Sequence, residues 1–199
     1  FIDKGITIPQ NLIIVGTVNM DETTFSFSRK VLDRAMTIEM NEVDLYGGLT
    51  SRHEQIGKLN FEDLVGDKVE GVDVYQENQE VCNQAILYLQ EINAVLEGTP
   101  FKIAYRTRNE FLLYVVNNLP YRKNSQGLEM TQNEVVARAL DEITSMKILS
   151  RIEGDEEKIK AELLASLKEV VSKMLPENMR DSYRARLRGQ AWQKHEKSL

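Results

Sequence analysis

From residue 78 to residue 176 the apolar residues recur at helical spacing, and each run is closed by a glycine or a proline. Val81, Ala85, Ile86, Leu89, Ile92, Val95 and Leu96 fall on one face of a first helix from Asn78, which Gly98 and Pro100 terminate. Thr107 and Glu110 have the spacing of a capping box and predict the start of a second helix, with Phe111, Leu112, Val115 and Val116 inward and Pro120 at its end. Thr131 and Glu134 repeat that spacing ahead of a third helix carrying Val135, Ala139, Ile143, Met146, Ile148 and Leu149, interrupted at Gly154. A fourth run from Asp155 holds Ile159, Leu163, Leu164, Leu167, Val170 and Val171 and stops at Pro176. Four helices of this length enclose a small bundle core.

The first forty residues follow another rule. Leu12 to Asn19 is a continuous β-rich apolar run with a polar end, the pattern of a strand buried on both faces of a parallel sheet. Ser28 is a candidate cap for a short helix through Arg34. Met36 to Met40 alternates apolar and polar residues, as a half-buried strand does. Strand, short helix and strand make a piece of an α/β sheet. Between the two regions Gly47, Gly48, Gly57, Gly66 and Gly71 break any long period.

Charge and cysteine usage narrow the classes. The net charge is −6, so the whole molecule has no attraction for nucleic acid or anionic membranes, although a local basic patch remains open. No apolar run approaches the ~20 residues of a membrane span. Cys82 stands alone, which rules out an intrachain disulfide, and it falls on a helical apolar face. His53 and His195 lack metal-ligand spacing. The tail after Pro176 turns basic and holds Trp192, the single tryptophan; a solvated end and a nucleic-acid or partner contact both fit it. Phe1 leads directly into a strand-like pattern, so the chain is expected to be part of a longer protein.

The chemistry-bearing segment runs from Ile8-Pro9-Gln10-Asn11-Leu12 through Gly16-Thr17-Val18-Asn19 to Ser28-Arg29-Lys30-Val31-Leu32-Asp33-Arg34-Ala35. A polar side chain at the C-terminal end of a buried parallel strand sits where α/β sheets bind ligands. Together these residues resemble, from Ile8 to about Glu39 without a gap, the sensor 1 and arginine-finger block of AAA+ ATPases, in particular the McrB-like branch of modification-dependent restriction systems. The resemblance implies that Asn19 orients an attacking water. It also implies that Arg34, with Arg29 as alternative or partner, supplies a guanidinium to a neighbouring subunit's nucleotide, a contribution of ~10³ to 10⁵ in rate for arginine fingers. Arg34 stands between Asp33 and Ala35 rather than in the family's run of arginines, and a surface pair with Asp33 or Glu39 is the plain alternative.

A second segment, Ala104-Tyr105-Arg106-Thr107-Arg108-Asn109-Glu110-Phe111, resembles the sensor 2 region of the helical lid. The resemblance assigns nucleotide-phosphate contact to Arg106, and Arg108 remains open as the ligand because it shares the packed face of Phe111 and Leu112. Solvated charges at a helix start are the alternative for both. Ala139 to Ile143 and Lys147 to Gly154 are also similar to McrB-like lids, with Ser150 and Glu153 in place of a proline and a histidine, and read as helix packing and a turn.

The fold expected from both lines is therefore an α/β remnant over residues 1–45 and an all-α lid over residues 78–176, predominantly helical. An irregular linker or insertion occupies residues 46–77 and a basic tail residues 177–199. No G-x-x-x-x-G-K-[ST] phosphate loop occurs, and Asp21-Glu22 lies beyond the Asn19 strand, so the cofactors the resemblance implies, GTP or ATP with magnesium, belong to a longer protein. This segment by itself is expected to be inactive. The implied whole is a cytoplasmic, ring-forming nucleoside-triphosphate hydrolase that drives DNA translocation with a nuclease subunit, and unpaired strand edges are expected to promote self-association. Two further readings stay open: a MoxR-like protein-remodelling ATPase and a non-catalytic helical interaction module.

Overall fold

The computed structural model describes residues 12–18, 27–40, 45–46, 49, 57–58, 60, 70–124, 126–152 and 161–177. The described part is predominantly helical. Its α-helices are α1 (Arg29–Leu32), α2 (Gly71–Tyr75), α3 (Gln79–Val95), α4 (Tyr105–Asn118), α5 (Gln132–Lys147) and α6 (Ala161–Met174), with a 3₁₀ turn at Leu149–Arg151.

Helix α5 begins as its sequence dictates. Thr131 Oγ1 accepts from the Glu134 backbone N–H, and the Glu134 carboxylate accepts from the Thr131 backbone N–H at 2.7 Å, which satisfies two N–H groups that the helix cannot. Helix α3 stops at Val95, and Gly98 takes φ +75, a left-handed conformation that glycine adopts without a Cβ penalty. The Thr107–Glu110 spacing proves not to be a cap. Helix α4 starts earlier, at Tyr105 after Ala104, with no side-chain cap. Thr107 is buried inside the first turn, and the Glu110 carboxylate is drawn into an ion pair with Lys147.

Helix α4 is the centre of the assembly and packs against α2, α3 and α5, while α6 covers α3. Phe111, Leu112 and Val115 of α4 meet Val81, Ala85, Tyr88, Leu89 and Ile92 of α3. Val136, Ala139, Leu140 and Ile143 of α5 close the same core, with Leu164, Leu167, Val170 and Val171 of α6. The Tyr88 and Phe111 rings tilt against each other at 6.4 Å. Among the described residues no helix is long and apolar enough to cross a membrane.

The two expected strands differ from this pattern. Residues 12–18 and 36–40 carry no regular secondary structure, and Ile14, Val15, Ile38 and Met40 are largely exposed. A parallel strand exists only through hydrogen-bonding neighbours. Among the described residues no strand supplies one, and a single isolated bridge, Lys123 to Glu129, is all the β-pairing present.

Candidate functional site

Helix α1 is one turn long, and among its described side chains Leu32 is the buried one. Its backbone continues into a tight turn, in which the Arg34 and Ala35 N–H groups both donate to Val31 O at 2.9 Å. So short a helix has little stability of its own. What holds the turn is the C-terminal end of α5.

Lys147 is fully buried, and burial of an ammonium is costly unless oxygen atoms replace its water. It donates to Asp33 O at 3.1 Å and to Ala35 O at 2.8 Å. Its nitrogen also lies 2.9 Å from Glu110 Oε2, off the hydrogen-bond direction, so this third contact is an ion pair. Two further tethers run alongside. Arg151 Nη2 pairs with Asp33 Oδ1 at 3.0 Å, and the Thr37 N–H donates to Met146 O at 3.4 Å. Asp33 is thus committed to Arg151 rather than to Arg34.

Arg106, Asn109, Glu110 and Leu113 stand at i, i+3, i+4 and i+7 of α4 and so form one stripe. With Arg34 and Glu70 they line an open cleft of about 460 Å³. Arg34 and Arg106 are both exposed, and neither forms an ion pair with another described residue. The Glu110 charge is compensated by Lys147. Among the described residues the cleft therefore offers two guanidinium groups without an ionic partner and one further carboxylate, Glu70.

The structure separates the two arginines left open by the sequence. Arg108 does not line the cleft; its guanidinium donates to Asn109 Oδ1 at 2.8 and 3.2 Å and lies 5.0 Å over the Tyr105 ring. Arg106 faces the cleft. Asn19 and the side chain of Arg29 lie outside the described residues. Among the described residues no group of three or more His, Cys, Asp and Glu residues is placed to hold a metal ion.

Sequence reasoning did not single out Lys147, although it is buried and charged. The available signal was its register: with Val136, Leu140 and Ile143 it continues the buried stripe of α5, where a charged residue has to find partners.

No curated protein and no solved structure matches the chain. A family model matches residues 60–197, which places Glu70, Arg106, Glu110 and Lys147 inside the matched region and Arg34 before it. By that match, over well more than half of its length, the chain belongs to the family described as a domain of unknown function (DUF8727).

Proposed function

We propose that this chain forms the nucleotide-facing helical part of a ring-forming AAA+ nucleoside-triphosphate hydrolase, and that the cleft between Arg34 and Arg106 receives the nucleotide's phosphates. The observation that carries this reading is convergence. Two arginines 72 positions apart (106 − 34), which the resemblance assigns to the phosphates of two different subunits' nucleotides, line one cleft in this chain, and neither pairs ionically with another described residue. Guanidinium groups bind phosphate oxygens in paired, charge-assisted hydrogen bonds. The first turn of α4, which carries Arg106, adds backbone N–H groups that favour an anion. The bound nucleotide supplies the hydrolysable phosphoanhydride; the chain's own residues bind and orient it.

In this arrangement Arg34 and Arg106 address the same phosphate chain. An arginine finger acting across a subunit boundary would instead serve a second pocket. The phosphate loop itself has to come from outside these 199 residues, since none occurs in them. The wider role, DNA translocation coupled to a nuclease, rests on the Ile8–Glu39 resemblance.

The test uses pyrophosphate with this chain and ATP or GTP hydrolysis with the protein that carries the phosphate loop. Pyrophosphate is expected to bind weakly, and Arg34→Ala and Arg106→Ala each to weaken it roughly tenfold, the worth of one charge-assisted contact. Turnover is expected to fall on the order of 10³-fold in Arg34→Ala. Equal binding and equal turnover across wild type and both variants would sink the proposal.

A further inference from the structure

We infer that Lys147 is a positioning residue for Arg34: its buried ammonium grips the carbonyl oxygens on both sides of Arg34 and so sets that guanidinium at the cleft. The inference rests on the proposed role of the cleft for its meaning, but the clamp can be tested independently.

The geometry is specific. Asp33 O and Ala35 O are the carbonyls of the two residues that flank Arg34, and both accept from Lys147 Nζ, at 3.1 and 2.8 Å. With the carbonyls of both neighbouring residues held, the backbone that carries the Arg34 side chain is fixed. The third oxygen at that nitrogen belongs to Glu110, which itself lines the cleft beside Arg106. One buried cation thus joins the Arg34 turn, 114 residues away in sequence at Asp33, to the stripe of α4 that carries Arg106. Arg151 on Asp33 and Met146 on Thr37 tie the same turn to the same end of α5. Were Lys147 only a packing element, an apolar side chain would fill its place without the cost of burying a charge. Its three oxygen contacts are what a packing role leaves unexplained. Since α5 also packs against α4, the backbone of the Arg34 turn is tied to the helix that carries Arg106.

Arg34 provides its own reporter, because trypsin cuts after arginine. Tryptic cleavage at the Arg34–Ala35 bond reads out opening of the turn. Removing Lys147 alone would leave Glu110 without its partner, so the comparison is Lys147→Met/Glu110→Gln against Glu110→Gln. The double variant is expected to cleave at Arg34–Ala35 at least about tenfold faster, with helical content and cleavage inside α3 to α5 unchanged, because two charge-assisted hydrogen bonds that resist local opening are gone. Pyrophosphate affinity should fall relative to Glu110→Gln, whose substitution alone already changes the charge of the cleft, by up to the factor seen for Arg34→Ala. A folded double variant cleaved at the rate of Glu110→Gln overturns the clamp. For an answer that does not depend on any variant folding, ¹⁵N spectra of the wild-type lysines should show one slowly exchanging ammonium, assigned to Lys147 and coupled through its hydrogen bonds to Asp33 and Ala35. An ammonium in fast exchange overturns the clamp as well. If cleavage and spectra behave as expected while pyrophosphate binds wild type and Arg34→Ala alike, the clamp stands and the nucleotide reading of the cleft falls.

Discussion

Asn93 does with one side chain what a strand pairing does with a backbone. Its Nδ2 donates to Ile103 O at 3.1 Å, and its Oδ1 accepts from the Ile103 N–H at 2.7 Å. Ile103 is buried, so both of its backbone groups need partners. The clip fixes the connection that delivers the chain into α4, one residue before Ala104 and three before Arg106. Asn93→Ala is expected to cost about 2 kcal/mol, since it leaves two buried polar groups unpaired. Asn93→Asp keeps the acceptor and loses the donor, and should fall between. Urea unfolding of the two variants checks the order; an Asn93→Ala midpoint equal to wild type would remove the clip from the account. Asn93 was hidden from sequence reasoning, and Lys147 showed only as a charge in the register of a buried stripe. The partners of each lie ten or more positions away, which neither signal could name. Arg34 and Arg106 drew attention through the resemblance of their flanking residues, and nothing in the sequence showed that they line one cleft.

At the scale of elements, what the sequence exposed was the set of helices whose boundaries are decided locally. Two Thr-x-x-Glu spacings look alike. In Thr131–Glu134 the reciprocal hydrogen bonds form, and α5 begins where the spacing places it. In Thr107–Glu110 they do not, because Lys147 attracts the glutamate and the threonine is carried into the core. A tertiary ion pair thus overrides a local motif worth only about 1 kcal/mol. Thr131→Ala is accordingly expected to destabilise the bundle by about 1 kcal/mol through loss of the cap. Amide exchange in the first turn of α5 should accelerate, while exchange at α4 amides follows only the global change; unaltered exchange at Val135 and Val136 would contradict the assignment. The strand-like segments at 12–19 and 36–40 mark the opposite limit. Their pattern describes a surface that needs a sheet, and periodicity cannot report whether the neighbouring strands are present.

For the whole molecule, the four long helices and their shared core were legible because a 3.6-residue period is enough to name the buried face. Which helix lies at the centre was not, since the apolar stripe of α4 is no richer than those of its neighbours. The bundle's joint between α3 and α5 gives it a distinctive response to alkali. The Tyr88 hydroxyl is buried 2.7 Å from Thr144 Oγ1, and burial pushes its pKa well above the ordinary tyrosine value of 10, more than the Thr144 hydrogen bond lowers it. Tyr114 donates to Glu142 Oε2 at 2.9 Å, and burial, then the Glu142 charge, pushes its pKa up to about 12. Both phenols are favoured in their protonated form by folding, whereas in the unfolded chain they ionise near 10. Above that value the native state therefore binds more protons than the unfolded state, and stability falls as pH rises. The tyrosine contribution is complete below pH 10 and, for Tyr114, lost progressively between pH 10 and about 12, with Tyr88 extending the loss further. Tyr88→Phe isolates the larger effect. Thr144 Oγ1 still donates to Leu140 O at 2.6 Å in its absence, so the substitution should cost only about 1 kcal/mol at neutral pH. Above pH 10 the melting temperature of wild type is expected to drop more steeply than that of Tyr88→Phe, and the two curves to converge. Parallel curves through that range would mean that the Tyr88 proton is not held by the core.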